Sequence, residues 1–251
     1  MTKNTRKLLT VKGDAKTIHS LVLGIITGVQ YLAPNNESGI INLCIDATPG
    51  CIEGCLFTSG RAEFDPKIAQ ARILRTIMFV QQRPEYWTKL IREIQALIRK
   101  GDRENLIPAV RLNGTSDLPW ERMKIRGTGT EFDGLTIFQA FPNLQFYDYT
   151  KTVNRCGNTP DNYHMTASYS EHMTPETMDT LLEEGHNVAV VFRVCEHQGT
   201  CGCILPTTWK GYDVINGDAS DVRFGDPHGV IVGLKAKGRA RDDYAGFVIR
   251  I

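Results

Sequence analysis

Apolar positions recur along this chain first at helical spacing and then in short runs. Ile68, Ala71, Leu74, Ile77 and Met78 fall on one helical face, and Asp65-Pro66 ahead of them supplies an N-cap and a first-turn proline. Arg83-Pro84 interrupts that helix, because proline removes a backbone donor and restricts the residue before it. A second stripe, Trp87, Leu90, Ile91, Ile94, Leu97 and Ile98, predicts a helix ending at Lys100-Gly101, a basic last turn followed by a C′ glycine. From there the pattern changes to short apolar runs between turn signals. Strands are expected at residues 107–112, 144–149, 163–167, 188–194, 212–215 and 230–234, with helices at 135–140 and 174–185. The run at 188–194 is apolar nearly throughout, as in a strand buried on both faces.

Earlier in the chain, residues 8–11 read as a strand, 19–32 as an apolar segment and 34–36 as a turn. Together they make a preamble over residues 1–39, packed on the main domain. Residues 40–43, Ile-Ile-Asn-Leu, read as the first strand of that domain, a single one spanning 40–251. Strands alternating with helices imply an α/β fold with mostly parallel strands, closed or partly closed into a (β/α) barrel. In such a barrel the site gathers at the C-terminal strand ends. The residues just past the expected strands are polar: the loop from Cys44, residues 113–117, Thr150-Lys151, Ser168 with Glu171, Arg193, residues 216–221, and Lys235 with Lys237. Loops are polar in any protein, which is the plainer explanation of the same pattern.

The loop after residue 43 carries the most specific chemistry. Cys44, Cys51 and Cys55 fall within twelve residues as C-x6-C-x3-C, with Pro49-Gly50 forming a turn between the first two. Three converging thiolates suit an iron–sulfur cluster with one iron open, or a zinc ion that borrows a fourth ligand. Three buried thiols packed as small apolar side chains are the bland alternative, but Pro, Gly and Asp in the loop do not suit a buried apolar segment. A second group, Cys195, Cys201 and Cys203, forms an insertion near 195–203 and offers four thiols together with Cys156. Structural zinc, an auxiliary cluster or plain free thiols fit that group.

Composition narrows the classes. The 251 residues are 41% hydrophobic, enough for a large core. Basic and acidic residues number 29 and 28, net charge +1, spread along the chain, so nonspecific nucleic-acid binding is not indicated by charge. No run of apolar residues is long enough to span a membrane, and the apolar segment at 19–32 starts too late for a signal peptide. Seven cysteines without a secretory signal point to a cytoplasmic protein whose thiols serve metal or catalysis.

A strand followed by a three-cysteine loop at the start of a (β/α) barrel resembles the radical S-adenosylmethionine (radical-SAM) superfamily. The form of the loop, with residues 60–62 (Gly-Arg-Ala), 111–117, 216–224 and 233–238, is also similar to bacteriophage gene-product families. The superfamily's usual spacing is CxxxCxxC, and an aromatic usually precedes the last cysteine, where this chain has Gly54. The resemblance implies a barrel of the radical-SAM type. It also implies a [4Fe-4S] cluster on Cys44, Cys51 and Cys55, and reductive cleavage of S-adenosylmethionine with an electron donor as partner; the substrate is unknown. It places cofactor contacts at Asn113, Gly114, Ser116 and Asp117, with the methionyl amino group at Asp117. Ser168 and Arg193 would reach the ribose and carboxylate, and Asp218 and Asp221 the ribose hydroxyls or the substrate. If the gene is carried by a phage, the compartment is the host cytoplasm. Two other classes fit the residues: a zinc-stabilised or degenerate-cluster barrel that binds a host protein or nucleic acid, and a metal-dependent hydrolase using Asp218, Asp221, Asp226 and His228.

Overall fold

The structure, a computed structural model, describes residues 7–13, 15–55, 57, 64–194 and 204–251. In chain order its elements are β1 (Leu9–Val11), α1 (Ala15–Val22), β2 (Ile25–Gln30), α2 (Pro49–Glu53), α3 (Pro66–Gln81), α4 (Arg83–Glu104) and β3 (Ile107–Arg111). They continue with α5 (Ile137–Ala140), β4 (Gln145–Thr150), β5 (Tyr163–Ser168), α6 (Pro175–Glu183) and β6 (Val188–Arg193). The last are β7 (Thr208–Trp209), β8 (Tyr212–Asn216), β9 (Ile231–Lys235) and β10 (Val248–Arg250). The chain divides into two compact units. One comprises Met1–Ile45, Asp65–Asp148 and Thr159–His164; the other comprises Asp46–Phe64, Tyr149–Asn158 and Met165–Ile251.

In the first unit the strand order is β1-β2-β3-β4, with β1 antiparallel to β2 and the other pairs parallel. The α4 stripe covers this sheet as its spacing predicts: Trp87, Leu90, Ile91, Ile94 and Leu97 are all buried. Burying each such side chain contributes about 1.5–3 kcal/mol. Phe79, Tyr86, Trp87 and Trp120 pack ring to ring, mostly edge to face, with centroids 5.1 to 6.5 Å apart. Glu93 of α4 accepts from the N–H groups of Leu8 and Leu9 at 2.9 and 2.7 Å, which fixes the approach to β1.

In the second unit the order is β5-β6-β9-β8-β7, parallel except for the β7–β8 pair. β10 pairs parallel with the C-terminal half of β6, Val248 opposite Val191 and Arg250 opposite Arg193. The expected mostly parallel α/β architecture is present. A barrel is not: neither run of strands returns to its starting edge, and both runs have a short antiparallel outer strand, three residues in β1 and two in β7. Closure needs strands of matched tilt and register all the way round, which these short outer strands do not supply.

Three local expectations are corrected. Residues 40–43 form no strand; they come after a loop whose turns are closed by Glu37 N–H to Pro34 O and Gly39 N–H to Asn36 O. The strand ahead of the cysteine loop is β2, inside the stretch read as preamble, and all six of its residues are buried between β1 and β3. Gly28 obscured it in the sequence, and a Cβ there would press on Leu97 at 3.0 Å and Leu9 at 3.2 Å, so the glycine lets α4 approach. α4 also runs past Gly101 to Glu104 and ends on Asn105, which takes the left-handed conformation at φ 52°. Gly101 is a packing glycine, since its Cβ would lie 2.7 Å from the Leu106 carbonyl.

Candidate functional site

In the first unit, β2 and β3 run parallel and side by side, so the loops that leave them emerge at the same sheet end. The loop after β3 is a knot of internal hydrogen bonds. The buried Asn113 carboxamide oxygen accepts from Ser116 Oγ at 2.9 Å, Leu118 N–H at 3.0 Å and Trp120 Nε1 at 3.0 Å. Its NH2 donates to Leu118 O at 3.0 Å. Gly114 crosses β2 so closely that a Cβ would lie 2.5 Å from Gln30 O, and its N–H donates to that carbonyl at 3.0 Å. The glycine is thus spent on a backbone crossing within the protein. Asp148, fully buried, accepts from Asn113 N–H at 2.8 Å and Tyr163 Oη at 2.9 Å and pairs with Arg111 at 3.6 Å, anchoring the loop from below.

Cys44 lies on this loop. Its thiol donates to Thr115 O at 3.9 Å, the neighbouring Leu43 O accepts from Asp117 N–H at 2.8 Å, and Thr115 Oγ1 donates to Leu32 O at 2.6 Å. One of the three cysteines and the expected cofactor loop therefore touch, with Asp117 half-buried at their junction.

The second unit holds Cys51 and Cys55. Thr48 N-caps α2 through Oγ1 to Cys51 N–H at 3.4 Å, and Pro49 occupies the first turn. Glu171, three residues past β5, grips this turn with both oxygens: Thr48 Oγ1 donates at 2.7 Å and Gly50 N–H at 2.8 Å. Burial acts to raise the Glu171 pKa and is the largest influence, yet the hydrogen bonds from Thr48 and Gly50 hold the carboxyl below its ordinary value. Gly50 is buried, and a Cβ on it would lie 2.5 Å from the Phe247 Cβ. Cys51 packs against the apolar cluster of Ala240, Phe247 and Val248, while Cys55 Sγ accepts from Phe57 N–H at 3.5 Å. Lys151 spans the same region, donating to Ser168 Oγ at 2.8 Å and standing 4.7 Å from the centre of the Phe247 ring.

The remaining expected residues of this unit have their own partners. Ser168 receives Lys151, and Arg193 stands over the Tyr244 ring at 5.3 Å. Asp218 accepts from Lys237 Nζ at 2.6 Å and Lys235 N–H at 2.9 Å, and Asp221 is half-buried. By register Ser168 sits opposite Ala189, four residues before Arg193, so these two are not level along the sheet. His228 is exposed, with Nδ1 3.3 Å from Gly185 O, and Asp226 pairs with Arg223 at 3.1 Å. Cys156 is buried in the lining of a cavity of about 470 Å³ beside Glu176 and Glu184. Cys195, Cys201, Cys203 and residues 60–62 lie outside the described residues.

Cys44, Cys51, Cys55 and Cys156 are all free thiols, and the first three are half-buried. Such donors are what iron–sulfur clusters and zinc take. Among the described residues, however, no group of three or more Cys, His, Asp or Glu side chains is gathered to hold a metal ion, and no helix is long and apolar enough to cross a membrane. A family model described as Gene product 88 matches residues 1–251, the whole chain. The chain belongs to the Gene product 88 family. That agrees with the bacteriophage gene-product resemblance of the cysteine loop, and the match carries no radical-SAM assignment. No curated protein and no solved structure matches this Gene product 88 chain.

Sequence reasoning named Glu171 only as a polar residue past a strand; its grip on the cysteine turn needed the fold. It passed over Arg239, Arg241, Tyr244 and Arg250 entirely. The signal was there in residues 235–241, Lys-Ala-Lys-Gly-Arg-Ala-Arg, four cations in seven positions.

Proposed function

We propose that this Gene product 88 protein is an iron–sulfur enzyme that uses the thiols of the Cys44–Cys55 segment to hold a [4Fe-4S] cluster and binds S-adenosylmethionine at the loop following β3. The observation that carries this reading is the contact of Cys44 with Thr115: the first cysteine rests on the loop at the common end of two parallel strands. A bound cluster supplies the electron that cleaves a sulfonium. The chain's own residues do the rest. Asn113 and Ser116 keep the loop in one shape, and Asp117 offers a carboxylate to an ammonium group. Glu171 and Thr48 set the turn that presents Cys51 and Cys55. Loading requires the Cys51 thiol to leave its apolar contacts with Ala240, Phe247 and Val248.

The test is protein purified without oxygen, assayed for iron, sulfide and zinc, then reduced and mixed with S-adenosylmethionine. Iron and sulfide in cluster stoichiometry together with released 5′-deoxyadenosine support the proposal. Replacing Cys44 with Ala should abolish both, because the two remaining thiolates hold a cluster poorly. Stoichiometric zinc without cleavage assigns the thiols to a metal-stabilised binding module instead, and protein that takes up neither metal overturns both readings.

A further inference from the structure

The C-terminal strand ends of the second unit carry a cluster of cations built around one exposed aromatic ring. Tyr244 is 78% exposed, with the Arg250 guanidinium 3.8 Å and the Arg193 guanidinium 5.3 Å from its ring centre. Arg193 and Arg250 are register partners on neighbouring parallel strands. Ala236 N–H donates to Phe192 O at 2.9 Å, which brings the 235–241 segment against the same strand end, and Arg241 Nε donates back to Ala236 O at 3.4 Å. Lys237, Arg239 and Arg241 are exposed. Opposing carboxylates are few. Asp218 pairs with Lys237, and Asp243 is buried and accepts from the N–H groups of Ala245, Gly246 and Val248 at 3.3, 3.2 and 2.9 Å. Asp242 is the exposed acid of the segment. Among the described residues Arg193, Arg239, Arg241 and Arg250 pair with no carboxylate.

Like charges on adjacent strands are destabilising unless an anion comes between them. Here the same side chains border an open ring. We propose that the surface of Arg193, Arg239, Arg241, Tyr244 and Arg250 binds single-stranded nucleic acid. The guanidinium groups meet successive phosphates, and the Tyr244 ring with its flanking guanidinium planes stacks an unpaired base. An acidic peptide would engage the cations and leave the ring unused. A duplex keeps its bases stacked on each other and offers the ring no face. The near-zero net charge of the whole chain conceals this surface, because it averages a local excess of five basic over two acidic residues in 235–251. The proposal does not rest on the thiolate reading.

Fluorescence anisotropy with a labelled oligothymidylate of about twenty nucleotides tests it, since that length spans more than one site of this kind. Between about 50 and 200 mM salt, log K against log salt should fall with a slope of about −2 to −3, the value for three to four phosphates on a single strand. The double variant R239A/R241A should flatten that slope by about 1.4. Replacing Tyr244 with Ala should weaken binding about tenfold and leave the slope unchanged, because stacking carries no charge. R239A alone, exposed and without a hydrogen bond to lose, should flatten the slope by about 0.7 and keeps the test valid if the double variant fails to fold. No binding at the lower salt overturns the proposal. So does equal or tighter binding to a duplex of the same length, or binding confined to phosphatidylserine vesicles.

Discussion

Glu171 shows how much of the cysteine turn depends on one carboxylate, with Thr48 on one oxygen and Gly50 on the other. A carboxyl whose pKa is depressed by folding contributes stability that is present above its unfolded pKa and lost as pH falls through the folded value. The carboxylate accepts from both Thr48 and Gly50, so Glu171→Gln should destabilise the protein by about 1.5 kcal/mol at neutral pH in urea denaturation. The difference from wild type should begin to shrink as pH falls through the ordinary glutamate value, about 4.3, and vanish only below the lowered folded value. At Gly114 the obstacle to a side chain is backbone: a Cβ would meet Gln30 O at 2.5 Å. Gly114→Ala should therefore cost about 2–3 kcal/mol in the same measurement. The resemblance implies a cofactor contact at Gly114, and the close neighbour that the structure shows there is the Gln30 carbonyl. Residue type records the conformational demand at a position; the partner comes from β2, far along the chain, and leaves no local trace.

Elements were legible in proportion to their length and periodicity. α4 repeats its apolar stripe over most of its 22 residues, and the structure buries that stripe. Leu90→Ala should cost about 2–5 kcal/mol by urea denaturation, because Leu90 is fully buried against packed neighbours and leaves a cavity. β6, β8 and β9 were readable for the same reason. The two residues of β7 and the three of β10 were not read as strands. β2 was missed because Thr27, Gly28 and Gln30 interrupt its apolar run. Two of the three have a tertiary purpose: Gly28 admits Leu97, and Gln30 accepts from the Tyr86 hydroxyl and donates to Leu112 O at 3.2 Å. The false strand at 40–43 had the right residue types, but the structure makes it irregular chain. In the candidate site, the cysteines and the loop at 113–117 were singled out because their residue types are uncommon together, and the structure sets Cys44 against Thr115. The cation cluster escaped because Arg193 and Arg250 are neighbours only by strand pairing.

For the molecule as a whole, alternation of helix and strand correctly implied parallel pairing. Closure did not follow, because it depends on the register and length of the outermost strands, which no local pattern encodes. The strand orders carry a prediction about protection. β2 and β3 in the first unit and β6 and β9 in the second are flanked on both sides and largely buried. Their amides should be the slowest to exchange in native-state hydrogen exchange, with those of β1 and β7 much faster. Equal protection across all strands would contradict the arrangement.

The two units are also interleaved along the chain, each assembled from three separate segments. A gene fragment encoding residues 165–251 would leave behind two pieces of its own unit, Asp46–Phe64 with the Thr48 turn and Tyr149–Asn158 with Lys151. Fragments cut at simple breakpoints therefore cannot yield either unit intact. The same holds for recombination between related genomes: a crossover between residues 46 and 164 joins parts of one parent's first unit to parts of the other's second. Such hybrids inherit mismatched contacts inside both cores, so exchange among relatives should favour transfer of the whole reading frame.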